Sequence, residues 1–554
     1  MTTASGSLDP ATLAQLADAS AYPADSGAGT GIERIDTHIS HVFLTGTRAY
    51  KFRRPVRLAF VDFTDPQERA RDCLREVALN RRLAPDVYLG VAPLMIGDGR
   101  HAIGPCSETL CCEPGVIEHC VVMRRLPPGR DLHSLLAAGT IEARHIDAIA
   151  ATMAAFHAAH GLGTPAPFPA HTWLAATTAP ARANFEALLG VGPTIVDHDK
   201  VREARELADR FAEEHRDDFE QRRLRGRVVD GHGDLHTEHV WFETGDAAPL
   251  IVDCLEFRDD FRRIDAASDV AFLAMDLIYR GYPDFASRFL RRYARDSGDF
   301  HLFCVVDYFA GYRALVRAKV AALVAGDMSL PPDQRSGAAS SAGRHLALGT
   351  KLLTQRRPGA TVLVCGLIGS GKTTVAEAFA DLTGGVVISS DRVRKTRAGI
   401  EPGTSLRAAY GSGAYDDERR AQVYSDLLEE AQSVVRSGRN VILDATYATR
   451  AWRDQARAWA EAEKSSCSLI RVIADERDAL ARLRERAVRG ADASDAGPEL
   501  YEEMRERFED PANSARQWPQ QRFSVVDTSR ATWHEDLRKL AAAFTAEFEA
   551  LKPR

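Results

Sequence analysis

Apolar positions in the second half of the chain come in short unbroken runs separated by longer amphipathic stretches. Residues 361–365, 385–389, 440–444, 467–473 and 522–526 read as strands, and 374–380, 424–436, 449–463 and 475–488 repeat apolar positions at helical spacing. A last amphipathic helix starts at Trp533. Strands apolar throughout and alternating with helices predict a parallel sheet covered on both faces, an α/β arrangement of doubly wound type. The first half is patterned otherwise. Residues 41–45 and 48–53 form a hairpin around Gly46-Thr47, 66–83 a helix, 89–96 and 119–124 strands, and most of the rest to about Leu353 is helical. A small β-rich lobe before a larger helical one predicts a two-lobed α+β domain. Residues 1–31, rich in Ala, Gly, Ser and Asp, read as flexible, and 327–343, with Pro331-Pro332 and Gly-Ala-Ala-Ser-Ser, as a linker. The expected domains are therefore 32–326 and 358–554, with a linker and connecting helix over 327–357.

Composition narrows the function classes. A chain of 554 residues with 45% hydrophobic and 27% charged positions has room for several ordinary folded domains. Its formal charge of −7 gives no general attraction to nucleic acid or anionic membrane. No apolar run reaches the length of a membrane span, and residues 1–22 lack a basic start followed by an apolar core. With nine cysteines in such a length, free thiols in a reducing cytoplasm are expected. Cys106, Cys111, Cys112, His119 and Cys120 could supply metal ligands, but they lack two tight Cys-x-x-Cys pairs, so buried or loop thiols are expected instead.

The most specific motif is Gly366-Leu367-Ile368-Gly369-Ser370-Gly371-Lys372-Thr373, with Thr374 opening the helix that follows. Glycines let successive backbone N–H groups turn toward phosphates, and the helix N-terminus adds partial positive charge. Lys372 would reach the terminal phosphates and Thr373 would bind Mg²⁺ through its hydroxyl. A nucleoside triphosphate, ATP foremost, is the implied ligand. Asp391, after the second strand of this half, points toward the transferred group if it lies at the sheet's carboxyl edge, where it could take an acceptor's proton; capping the next helix is the equally simple reading. Asp444 ends an apolar strand, as a carboxylate supporting Mg²⁺ would. Arg482, Arg484, Arg486 and Arg489 lead into a Gly-Ala-Asp loop and suit a closing lid, with Arg486 and Arg489 stabilising transition-state charge. No basic patch with interleaved aromatics marks a nucleic-acid path, so a small-molecule acceptor is favoured.

A second chemical centre lies at Asp230-Gly-His232-Gly-Asp234-Leu-His236-Thr-Glu-His239, followed by an apolar run ending at Asp253. One carboxylate could accept a hydroxyl proton and the other hold Mg²⁺, or each could simply cap a turn.

Taken together, these residues resemble the aminoglycoside phosphotransferase-like group, relatives of the protein kinases, over most of residues 32–325. The resemblance implies that Asp234 is the catalytic base, Asp253 a metal ligand, Lys51 the lysine on nucleotide phosphates and Glu76 its ion-pair partner. It makes Asp269 the buried aspartate that steadies the catalytic loop, and sets the hinge at 123–129. His239 stands at the metal-binding Asn position, although imidazole is a poor ligand for hard Mg²⁺, and no well-formed glycine-rich loop precedes Lys51. The later half resembles P-loop kinases of the zeta-toxin and polynucleotide-kinase type. The whole implies an ATP- and Mg²⁺-dependent phosphotransferase acting on a hydroxyl of a small polar molecule. Two alternatives stay open: a non-catalytic acceptor-binding or regulatory first half beside a P-loop switch, and a toxin-like or polynucleotide kinase.

Overall fold

The computed structural model describes residues 8–25, 27, 31–58, 61–97, 99–245, 248–397, 417–489, 497–512, 518 and 522–550. By Cα proximity the chain forms two compact units, residues 1–179 with 220–281, and residues 180–219 with 282–554.

The first unit is organised by a six-stranded sheet. Its order is Glu33–Asp36, Ser40–Leu44, Arg48–Arg53, Val116–Arg124, Tyr88–Gly97 and Arg100–Ile103, with every neighbouring pair antiparallel. Strand alternation sorts the residues of Arg48–Arg53. Tyr50 and Phe52 join an apolar cluster with Phe43, Leu94 and Ile103, while Lys51 and Arg53 face the helix Pro66–Asn80 through Glu76 and Asp72. Two small antiparallel pairs, Val228–Asp230 with Arg263–Asp265 and Val240–Trp241 with Leu250–Ile251, bracket the His232–His239 segment.

Residues 8–25 do not match the expectation of a loose segment. Pro10–Leu16 is a helix with Pro at its start and Asp9 capping the Thr12 N–H at 2.6 Å. Leu16 and Tyr22 are buried against the sheet. Leu8, Leu13, Leu16, Ala21 and Tyr22 from this stretch pack on the cluster beneath the sheet, although its overall composition is that of a loop.

The second unit contains the parallel sheet, ordered Val386–Ser389, Val441–Asp444, Thr361–Cys365, Cys467–Ile473 and Phe523–Asp527. All five expected strands are present. Its core runs through Val362, Val364, Phe379, Ile442 and Ile470 and closes on the final helix Trp533–Ala550 at Leu537.

Residues 332–343, read as linker, are helical: Pro332–Leu353 is one helix, with a proline at its start and Asp333 in its first turn. A Cβ built at Gly349 would lie 3.3 Å from the Gly311 carbonyl oxygen, so glycine permits close approach to the helix Val306–Gly326. Small residues here serve helix packing. Residues 282–326 cluster with the parallel-sheet unit because Pro283–Ser297 bears on the helix Lys372–Thr383. Arg288 and Arg291 meet Asp381 at 2.9 and 2.5 Å, and Arg292 meets Glu377 at 2.6 Å.

Candidate functional site

The Gly366–Thr374 segment links the central strand Thr361–Cys365 to the helix Lys372–Thr383. Its glycines are required by shape. Gly366, Gly369 and Gly371 have φ of 155°, 75° and 86°. A Cβ at Gly366 would stand 2.3 Å from the Val472 carbonyl oxygen, and one at Gly369 2.6 Å from that of Ala479. Both clashes are with backbone, which cannot swing aside. Lys372 donates to the Leu367 carbonyl at 3.0 Å, folding its ammonium back over the loop. Burial lowers the affinity of that amine for its proton, while Asp444 and then Asp391 oppose the shift. Thr373 donates its hydroxyl to Asp444 at 2.8 Å. Burial pushes the Asp444 carboxyl up to about 6 against the pull of Lys372 and Thr373.

The residues fit a phosphate and a divalent cation. The loop is cut to glycine shape, the Ser370 hydroxyl is buried with no hydrogen-bond partner among the described residues, and a hydroxyl and a carboxylate offer oxygen donors side by side.

Asp391 lies in the first turn of Ser390–Arg397, at the carboxyl end of its strand, and pairs with Arg394 at 3.2 Å. Arg392 turns instead to the Arg295 carbonyl at 3.0 Å. Arg486 is half-buried and close enough to Lys372 to add to the depression of its proton affinity. The Arg489 side chain and residues 490–496 lie outside the described residues. Arg482 acts as a brace: it donates to Thr528 Oγ1 at 2.8 Å and to the Thr528 carbonyl at 3.0 Å, and Thr528 donates to the Ser370 carbonyl at 2.8 Å. Thr528 was missed from sequence, though its place just past the last strand, Phe523–Asp527, was a usable signal.

In the first unit, tertiary structure gathers Lys51, Glu76, Asp234, His239 and Asp253. Lys51 donates to Glu76 at 2.9 Å and to Asp253 at 2.8 Å. Arg53, on the same strand face, bonds Glu76 at 2.6 Å and Asp72 at 2.7 Å and also contacts Glu256. Losing one partner of such a buried ionic network costs about 3–5 kcal/mol. Arg53 was legible as a neighbour only; its spacing of two from Lys51 on a strand was the signal for a shared face. Burial pushes Glu256 up to about 8, Arg53 opposing and Glu76 adding.

Asp253 has a left-handed backbone, φ 61°, held by its N–H to the Tyr88 hydroxyl at 3.1 Å and by the next N–H, of Cys254, to Asn80 Oδ1 at 2.8 Å. Partial burial resists ionisation of Asp253, but the Lys51 ammonium overrides it and holds the carboxyl well below the usual range. The loop itself hangs on Asp269, which is fully buried. Its oxygens accept from the backbone N–H groups of His232 at 2.6 Å and Gly233 at 3.0 Å, and it contacts His157 at 3.1 Å. Burial notwithstanding, the His157 bond and charge keep Asp269 ionised far below an ordinary carboxyl.

Hydrogen bonds assign the ring protons of the three loop histidines. His232 accepts the Asp234 N–H at Nδ1 (3.3 Å) and donates from Nε2 to the Val252 carbonyl at 2.9 Å. His236 accepts the Glu238 N–H at Nδ1 (3.3 Å), which puts its proton on Nε2, 3.7 Å from Asp234 Oδ2. His239 is reversed: Nδ1 donates to the Asp234 carbonyl at 2.9 Å, leaving Nε2 bare and 3.4 Å from Asp253 Oδ2. A bare nitrogen and a carboxylate oxygen facing each other suit a shared cation. Oxygen from Asp253 fits Mg²⁺; nitrogen from His239 fits Mn²⁺ better.

Cys106, Cys111, Cys112, His119 and Cys120 form no metal-ligand group among the described residues. Cys120 is buried with its sulfur toward the Ala92 carbonyl, and His119 bonds the Cys111 carbonyl at 3.1 Å. No described helix is long and apolar enough to cross a membrane.

Comparison with known proteins agrees with both halves. Residues 40–305 match the family model described as phosphotransferase enzyme family, and residues 362–511 match one described as AAA domain. Uncharacterized proteins of Mycobacterium tuberculosis and Mycobacterium bovis are 34% identical over 453 residues, covering 82% of this chain and 83% of theirs. Among solved structures, a choline/ethanolamine kinase family protein from Mesorhizobium loti is similar over 61% of this chain and 99% of its own, at 16% identity and a TM-score of 0.35. A gluconokinase from Sinorhizobium meliloti is similar over 35% of this chain and 97% of its own, at 22% identity and a TM-score of 0.25. The chain belongs to the family of these mycobacterial proteins and joins a phosphotransferase-family domain of protein-kinase-like fold to a P-loop kinase domain, an architecture that supports phosphotransfer of the kinase type.

Proposed function

We propose that this chain is an ATP- and Mg²⁺-dependent phosphotransferase that moves the γ-phosphoryl group to a hydroxyl of a small polar molecule, with one site in each half and a functional boundary near Arg357. In the P-loop half, the amides of 366–374 would cradle the phosphates and Lys372 would swing from the Leu367 carbonyl onto the terminal ones. Asp391 would orient the acceptor hydroxyl and take its proton, and Arg486 and Arg489 would offset the charge that develops on the phosphoryl oxygens. Thr373 and Asp444 would hold Mg²⁺, whose chemistry when bound is to neutralise phosphate charge.

In the kinase-like half, Lys51, set by Glu76, would take the nucleotide phosphates. Asp234, with the His236 Nε2–H nearby, would accept the proton of a second acceptor. Asp253 would carry the divalent cation, and His239 would offer its bare Nε2 as a further ligand. Work on a small molecule is favoured by the acidic net charge, which offers a nucleic-acid backbone no general attraction.

The observation that carries this reading is the glycine cradle closed by Lys372, with Thr373 and Asp444 paired beneath it. The test is a screen of pooled metabolites with γ-labelled ATP, run on the native chain and on Lys372→Ala and Asp234→Ala. Label should move to a hydroxyl compound, and each variant should lose a different part of the transfer. Turnover lost only in Lys372→Ala would make the first half a binding or regulatory module. Transfer to RNA or DNA ends in place of small molecules would overturn the acceptor class.

A further inference from the structure

Two pairs of ligand-type residues lie outside both sites. His215 and Asp218 stand three apart at the start of the helix Arg216–Leu224, and His301 and Cys304 stand three apart on the single-turn segment Phe300–Cys304. The second unit brings the pairs together: one Asp218 oxygen, one His301 ring nitrogen and the Cys304 sulfur all lie within 4.8 Å of one another.

The carboxylate is held from behind. Phe211 stacks on the His215 ring with centroids 4.1 Å apart and 17° between planes, and His215 Nδ1 lies 2.8 Å from Asp218 Oδ2. The other oxygen, Oδ1, faces His301 Nε2 at 3.4 Å. Charge-assisted N–H···O bonds fall at about 2.7–2.9 Å, so this contact is too long to be a good one. Two ligands bound at about 2.0–2.1 Å to one tetrahedral ion are separated by roughly 3.3 Å, close to what is seen. His301 Nδ1 is buried with no hydrogen-bond partner among the described residues. Neither nitrogen of that ring makes a hydrogen bond of ordinary length, and a neutral imidazole has one lone pair to give.

Imidazole, carboxylate and thiol together disfavour Mg²⁺ and suit Zn²⁺. A carboxylate and a thiolate balance the charge of the dication, with the thiol proton released to solvent on binding. Arg436 lies near enough to sense Cys304 and Asp218, but it is held by Glu463 through bonds of 2.8 and 2.9 Å, which offset its charge. We propose that Asp218, His301 and Cys304 bind a zinc ion, with His215 orienting the carboxylate from outside the coordination sphere. Three protein ligands leave the fourth position to water, and the ion ties Asp218 to the turn that leads into the helix Val306–Gly326.

The full-length chain, stripped with chelator, is titrated with Co²⁺ as a spectroscopic substitute and then with Zn²⁺. About one Co²⁺ per chain should give a thiolate-to-cobalt charge-transfer band that Zn²⁺ abolishes by displacement. Cys304→Ser should lose the band, and His301→Gln and Asp218→Asn should weaken binding at least about 10-fold. Zn²⁺ should raise the thermal midpoint of the native chain and leave that of Cys304→Ser unchanged. Circular dichroism checks the fold of each variant, and His301→Gln alone suffices if Cys304→Ser does not fold. Cobalt bound without the band would place the ion away from any thiol, for example at Asp234, His236 and His239, and would overturn the proposal. A band that persists in Cys304→Ser would place the ion on other cysteines and would overturn it equally.

Discussion

At the phosphate loop the groups that shape the site are main-chain ones: glycines at positive φ, a helix N-terminus, and carbonyls of Val472 and Ala479 that leave no room for a side chain. In the kinase-like half they are side chains delivered from separate elements: Lys51 from a strand, Glu76 from a helix, Asp234 and His239 from a loop, and Asp253 just past another strand. The loop of the first kind of site is written within a dozen consecutive residues, although Val472, Ala479 and Asp444 close on it from elsewhere in the chain. The second exists only after folding, and rests on supports such as Asp269 beneath the loop and Arg53 behind Glu76. A backbone-built site fails through shape, whereas a side-chain-built site fails through charge and proton inventory. Substitutions separate the two.

The largest effect is expected from removing the proposed proton acceptor of the side-chain site. Asp234→Asn should lower acceptor phosphorylation by that half by about 10²–10⁴-fold, measured in a Lys372→Ala background so that the other half is silent. Unchanged transfer would remove Asp234 from the chemistry. Next, Lys372→Ala should lower ATP turnover by the P-loop half on the order of 100-fold with the fold intact by circular dichroism.

A shape test follows. Gly369→Ala forces a side chain at φ 75° to within 2.6 Å of the Ala479 carbonyl oxygen. Strain of about 1–3 kcal/mol should weaken nucleotide binding roughly 10-fold or more. Calorimetry showing native affinity would mean the loop need not hold this form to bind.

The smallest effect concerns pH. The native-state carboxyl of Asp269 sits well below its unfolded value, so its stabilisation is complete above an unfolded pKa of about 3.9 and is lost as pH falls below that. Between about pH 5 and 3, unfolding titrations of the native chain should lose about 1 kcal/mol more than those of Asp269→Asn, in which the group no longer titrates. Parallel acid profiles would assign the loop's anchorage elsewhere.

The same contrast explains what was legible beforehand. Gly366–Thr374, the five parallel strands and the hairpin bearing Lys51 are local patterns, and each stands in the structure as a strand, loop or helix where the sequence puts it. Arg53 and Thr528 escaped notice because their partners lie far along the chain, Glu256 for one and Ser370 for the other. The helices Pro10–Leu16 and Pro332–Leu353 were hidden by small-residue composition, which reads as loop until the packing of Leu16 on the sheet and of Gly349 on Gly311 is known. Tautomers at His232, His236 and His239 depend on hydrogen bonds that no linear motif encodes.

The proposed pair of nucleotide sites, one built of backbone and one of side chains, can be counted directly by equilibrium dialysis with a non-hydrolysable ATP analogue and Mg²⁺. The native chain should retain about two nucleotides, and Lys372→Ala and Lys51→Ala about one each. Native-level retention by Lys372→Ala would contradict nucleotide binding at the phosphate loop.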